Sequence, residues 1–249
     1  MSTICYQESD PILERYFHEI PDKRLALFAF YTLLIVYAAC LVITIWTKCW
    51  FMLLVPLTGF LVAIGFAYRA SMISNPRISA FTAMQLLIIV PPLLLAAANY
   101  ECLGKCLSKS IYWLPIIFII VDVICLLIQI FGVTYLTKKT PQKINQGLNI
   151  MLVGLLLALL VNIAFVVIMV YFQKSTTTII SKEIWIAMYV TMGCLLVRNI
   201  YRFIEFVESK YGSGYLASHE IYMYILDFAM IFACIIILSV MHYGFYLQK

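Results

Sequence analysis

Seven stretches of about 20 apolar residues follow one another along this chain with little between them. They run near 25–46, 50–68, 79–99, 112–136, 147–172, 184–204 and 221–246. A stretch of that length spans the hydrocarbon core of a bilayer when it is coiled as an α-helix. In hydrocarbon no water is present to satisfy backbone N–H and C=O groups, and a helix satisfies its own. The predicted fold is therefore an all-α integral membrane protein, a seven-transmembrane helix bundle with short loops. Connections of about 4 to 16 residues leave no room for a soluble domain. Residues 25–246 form the membrane domain and 247–249 a short C-terminal tail. Residues 1–24 carry five acidic groups and no apolar run, so they read as a polar tail and not as a cleaved signal.

Composition excludes several functions. The chain is 64% hydrophobic and 12% charged, and its mean hydropathy is +0.99. Its 17 lysines and arginines are scattered between apolar runs, with no basic face, which argues against nucleic acid and leaves lipid headgroups as the anionic partners. No phosphate-binding G-x-x-x-x-G-K-[ST] loop occurs, so any transport is passive, exchange-driven or ion-coupled. Nothing calls for a cofactor or a metal. The three histidines are His18, His219 and His242, and the last two are roughly 35 Å apart on one helix. They cannot share a zinc ion as the seven-span zinc hydrolases require. A retinal Schiff base needs a lysine inside a span, and none lies between Ile221 and Tyr246. No enzymatic activity is expected.

Cys40, Cys125, Cys194 and Cys234 fall within apolar runs and read as small buried hydrophobes. Cys102 and Cys106 are expected in a loop, where lipidation is the modification they would suit. Pro56, the pair Pro91–Pro92 and Pro115 are expected to free carbonyls inside spans, either to build a site or only to shape packing. Gly59, Ala63 and Ala67 form one small-residue strip, and Gly147, Gly154 and Ala158 another, both suited to close helix contact.

Charges inside the apolar runs carry the functional signal. Arg198, Arg202 and Glu205 share one face of the sixth span, at i, i+4 and i+7. Glu220, Tyr224 and Asp227 share a face at the start of the seventh. Asp122 and Gln129 share a face of the fourth, with Asp122 far from either end. An ionisable group at bilayer depth costs about 2.5–3.5 kcal/mol on insertion scales, so it normally faces a bundle interior and has a partner. For Asp122 two roles stand open: a carboxyl hydrogen-bonded to a neighbouring helix, or a functional group paired with Arg198 or Arg202. Glu220 and Asp227 either receive an amine or headgroup, or Glu220 clasps the sixth span with Arg202 and Glu205, a clasp that does not readily account for Asp227, about 10 Å deeper. Lysines and arginines concentrate on the side of the chain's N-terminus, which by the positive-inside rule is then cytoplasmic.

Five pieces in fixed order resemble the fungal RTA-like family, the lipid-translocating exporters. They are IGFAYR (64–69), PPLLLAAANYECLGK (91–105), DVICLLIQIFG (122–132), RNIYRFIEF (198–206), and HEIYMYILDFAM (219–230) followed by MHYG (241–244). The family's pattern favours Tyr100 and Gly104 after the third span, and Asp122, Gln129 and Gly132 in the fourth. It also favours Arg198, Arg202 and Glu205 in the sixth, and Glu220, Tyr224, Asp227 and His242 in the seventh. Three positions depart: Val62 stands where many members have glutamate, Lys105 where arginine is usual, and Tyr243 where the ending is usually His-Pro-Gly. The resemblance implies an outward N-terminus, opposite to the charge count, and motif order constrains more than dilute charge. It implies movement of lipids or sphingoid bases across a membrane without ATP, seen as resistance to toxic amphiphiles. Asp122, Glu220 and Asp227 would then meet an ammonium while apolar faces take the tail. The alternatives are a seven-span lipid-sensing receptor or regulator of lipid asymmetry, and a structural adaptor whose charges serve as clasps. Spans longer than 22 residues favour a plasma membrane over internal ones.

Overall fold

The computed structural model describes residues 22–74, 77–106, 113–137, 140–175, 181–211 and 219–247, so His18 and most of the predicted N-terminal tail lie outside it. Each apolar run is mostly helical, and the first, third, fifth and sixth helices extend past their runs at both ends. They are α1 (Lys23–Thr47), α2 (Leu54–Ser74), α3 (Ile78–Cys106), α4 (Trp113–Leu136), α5 (Pro141–Ser175) and α6 (Lys182–Tyr211). The seventh span, α7, begins as one α-turn (Glu220–Met223), widens to a π-helical turn (Tyr224–Phe228) and resumes as α-helix (Ala229–Val240). A short helix, α8 (Tyr243–Leu247), follows. Among the described residues, seven helices are long and apolar enough to cross a membrane.

Local chemistry sets the ends. Asp22 caps α1, its carboxylate accepting from the Arg24 amide at 2.8 Å. Lys48 closes α1 in the left-handed region (φ 52°), its N–H bonding Ile45, and a 3₁₀ turn (Trp50–Leu53) leads into α2. All four tryptophans (Trp46, Trp50, Trp113 and Trp185) sit where α1 ends and α2, α4 and α6 begin. They mark one membrane–water interface, where amphipathic rings settle.

Prolines behave differently from one another. Pro56 and Pro115 lie in the first turns of α2 and α4, where no intrahelical donor is needed, so neither frees a carbonyl as the sequence suggested. Pro91 and Pro92 lie inside α3 and do. Cys102 and Cys106 are not in a loop: they belong to the last turns of α3, Cys102 fully buried.

Consecutive helices pack as neighbours, and α7 closes the bundle against α6, α2 and α1. The outer faces present Phe28, Ile35, Ile120, Phe131, Val167 and Val240 to the lipid. The tightest seam joins α4 and α5. A Cβ on Gly147 would meet the Leu136 nitrogen at 2.9 Å and the Gly132 oxygen at 3.0 Å, and one on Gly154 would meet Gln129 Cγ at 2.7 Å. That strip works as expected. At Gly59 a Cβ would make ordinary 3.6 Å contacts with Ile235 and Tyr37, and Ala63 of the same strip is fully buried.

Candidate functional site

The interior charges form two groups and one isolated carboxylate. The first group joins α6 to α7. Asp227 is 2% exposed and accepts from Arg198 Nε at 2.6 Å and from Arg202 Nη2 through its other oxygen. Arg202 Nη1 also donates to Glu205 at 3.0 Å. Arg198 Nη2 crosses to α3 and donates to the Ile88 carbonyl at 2.7 Å. Two cations thus meet two anions, and both oxygens of Asp227 are taken. The π-helical turn holds Asp227 in this position; one extra residue per turn is a device often found at functional sites.

The second group lies about two turns nearer the start of α7, roughly 10 Å away along the axis. Glu220 accepts from Arg69 (Nη2 at 2.9 Å, Nε at 3.3 Å) and from the backbone N–H of Asp22 at 2.8 Å. It therefore ties α7 to α2 and to the cap of α1. The expected clasp of Glu220 with the sixth span is corrected: the guanidinium on Glu220 is that of Arg69, because α7 packs α2 at this level. Tyr224 stacks on Phe66 (centroids 5.8 Å apart), with its buried hydroxyl close to the Arg69–Glu220 pair but not in hydrogen-bonding geometry.

Asp122 stands apart. It accepts a 2.7 Å hydrogen bond from Tyr100 of α3 and forms no ion pair with Arg198 or Arg202, contrary to the pairing the sequence suggested. The reason is that α4 packs on α3 and α5, whereas the arginines turn toward α7. Tyr100 is locked between Phe118 and Phe165 (centroids 5.2 and 4.5 Å away). Asp122 lines a cavity of about 40 Å³ between α3, α4, α5 and α6, with Gln129, Asn162, Asn199 and the edge of Arg198.

The remaining expected residues have packing roles. Gly104 lies against Pro115, whose ring an added Cβ would overlap, and Gly132 lies against Met151, whose Cγ would sit 2.6 Å from one. His242 is fully buried, its Nδ1 accepting from the Gly244 N–H at 3.2 Å and its Nε2 3.5 Å from the Thr44 hydroxyl. Sequence reasoning assigned no role to Arg69, although it ends the IGFAYR piece. It also missed a buried hub at Asn99, which donates to Thr191 at 3.1 Å and accepts from Tyr243 at 2.7 Å. A buried amide in an apolar run is the signal that would have found Asn99, Asn162 and Asn199.

The family model described as "RTA1 like protein" matches residues 55–249, which include every charged pair above except the Asp22 cap. The chain belongs to the RTA1-like family. It is an integral, multi-pass membrane protein. Similar relatives in Saccharomyces cerevisiae are Protein RTA1, 28% identical over 73% of this chain and 62% of its own length, and Protoporphyrin uptake protein 1, 27% identical over 72% and 64%. Protein RTM1 is 25% identical over 66% of this chain and 58% of its own length. The chain thus matches less than two thirds of the length of these RTA1-like relatives. No solved structure matches it.

Proposed function

We propose that this protein moves lipids or similar amphiphiles across its membrane without nucleotide hydrolysis, and that the cavity at Asp122 is where the polar headgroup passes. The observation that carries the reading is a carboxylate deep in the bundle, without a cationic partner, facing a cavity ringed by amides. Asp227 and Glu220 accept from guanidinium groups, so among the three carboxylates expected to meet an ammonium Asp122 is the one without an arginine on it. A sphingoid base, with one ammonium and one long chain, suits that carboxylate and the apolar helix faces. Fold alone does not assign such an activity, so the reading rests on the site. One RTA1-like relative is named for uptake of protoporphyrin, an apolar ring bearing two carboxylates, which supports an amphiphile as cargo but not an ammonium in particular. A cavity of about 40 Å³ admits no headgroup in this conformation, so passage requires the helices around it to part. No covalent step is needed. Helices of 29 to 35 residues at α3, α5 and α6 support a plasma-membrane location.

The test is translocation of a labelled sphingoid base and a labelled phospholipid in liposomes holding the purified protein, beside Asp122→Asn with folding verified. Faster movement of either lipid, lost in the variant, supports the reading. No acceleration, with folded protein that still binds one lipid saturably, turns it to a lipid-sensing receptor.

A further inference from the structure

We propose that the cavity at Asp122 holds one small monovalent cation, and that the cationic headgroup of the substrate displaces it. The second half rests on the transport reading above; the first stands on the structure.

The interior charges balance except at one place. Arg198 and Arg202 face Asp227 and Glu205, and Arg69 faces Glu220. Asp122 remains, and among the described residues no lysine, arginine or histidine nitrogen lies within 4 Å of its carboxylate. It lies nine residues into α4, roughly 14 Å along the axis. Tyr100 gives it a hydrogen bond but no positive charge. A carboxylate at that depth is costly unless a positive charge neutralises it, and here the protein does not supply one.

The cavity is built of the groups that hold such a charge. Hard monovalent cations and hydrated protons are held by oxygens, and Gln129 and Asn162 bring amide side chains from α4 and α5 to the space that Asp122 lines, while the Asn199 oxygen already accepts from Arg198 Nη1 at 3.4 Å. About 40 Å³ accommodates an ion or a few waters and nothing larger. The titratable or charged groups facing it are Tyr100 from α3, Arg198 from α6 and Cys125 on α4 itself, while α5 contributes no titratable group. Arg198 reaches the rim with its charge already engaged by Asp227, so it does not serve Asp122. A site that needs one positive charge accepts either an inorganic cation or an ammonium, not both. That exclusivity is what couples two flows without ATP.

Purified full-length protein in detergent, without added lipid, is titrated with sodium chloride against choline chloride at fixed ionic strength and pH. A second series varies pH from about 5 to 9 without sodium, and unfolding midpoints are followed throughout. A site that takes sodium gives a saturable rise in midpoint with sodium. A site that takes a proton gives stability that rises as pH falls, since the folded state then binds the extra proton. Asp122→Asn abolishes whichever response is seen. Asn162→Ala leaves the Tyr100 pair intact and raises the half-saturating sodium concentration several-fold. A wild-type midpoint indifferent to sodium, and with the same pH dependence as Asp122→Asn, overturns the proposal, as does a response that Asp122→Asn retains. In liposomes the bound cation competes with the amine, so saturating it slows sphingoid-base movement. Movement insensitive to both ions defeats the exchange while leaving the transport reading intact. Ion binding with no movement of any lipid defeats the transport reading while leaving the site.

Discussion

The carbonyl of Ile88 has no helical amide to accept from, because residue 92 is proline, and Arg198 supplies the missing donor from another helix at 2.7 Å. The proline and the arginine are therefore parts of one device: α3 is opened at one carbonyl so that α6 can be held to it. Arg198→Lys keeps the charge but cannot reach Asp227 and Ile88 together, and it should cost roughly 1–3 kcal/mol. Pro92→Ala returns an amide to Ile88. In that background the cost of Arg198→Lys should fall by about 1 kcal/mol, a coupling that a four-protein cycle of unfolding midpoints in detergent resolves. Strict additivity would mean that the carbonyl is satisfied in some other way.

Asp227 is a structural anchor in this arrangement, which makes it a poor probe of transport. Asp227→Asn leaves two buried guanidinium groups facing a neutral amide, and the expected loss is roughly 3–5 kcal/mol. Glu205→Gln should cost under about 1 kcal/mol, since that carboxylate is 23% exposed and pairs with one arginine within its own helix. Expression level and thermal unfolding of the two variants check the order, and equal losses would refute the cluster as described.

The seven spans and the charged faces were legible because each depends on one helix at a time: length, apolarity and a 3.6-residue period. Pairing was not. Asp122 and Arg198 each point inward, yet whether they meet depends on how α4 and α6 are rotated about α3, and sequence period says nothing of that. Close packing at Gly132, Gly147 and Gly154 draws α4 onto α5, and so turns Asp122 toward Tyr100. The π-helical turn at Asp227 escaped notice for a similar reason: nothing in YILDF differs from α-helical sequence, and the extra residue accompanies the two arginines on Asp227. Pro56 and Pro115 misled because their effect depends on distance from the helix start, and helix ends are the least legible feature of an apolar run.

Glu220 gathers three elements at one end of the bundle, and its pairing with Arg69 should be measurable as coupling. Arg69 is buried and donates through two nitrogens, so removing either partner alone leaves a desolvated charge. Arg69→Met and Glu220→Gln should each destabilise by roughly 2–4 kcal/mol, with a favourable interaction of about 1–3 kcal/mol in the double-mutant cycle. Proteolysis near the start of α1 should accelerate in Glu220→Gln, since the Asp22 amide loses its charged acceptor. An unchanged cleavage rate would show that the α1 cap is held by other contacts.

Two glycines in this bundle should respond oppositely to the same substitution. At Gly147 an added methyl would stand 2.9 Å from the Leu136 nitrogen and 3.0 Å from the Gly132 oxygen. Both are backbone atoms of α4 and cannot step aside, so α5 must move away as a body. Such overpacking typically costs about 1–3 kcal/mol. Moving α5 also widens the space between Gln129 on α4 and Asn162 on α5, both of which line the Asp122 cavity. At Gly193 an added methyl meets nothing within 4 Å. There the substitution should be neutral or stabilise α6 by up to about 1 kcal/mol, because alanine gives up less backbone freedom in a helix. Gly147→Ala should therefore lower the unfolding midpoint while Gly193→Ala holds or raises it. Cross-linking between cysteines introduced at facing lipid-side positions of α4 and α5 should weaken in the first variant alone. Equal behaviour of the two would mean that the α4–α5 seam is looser than these contacts indicate.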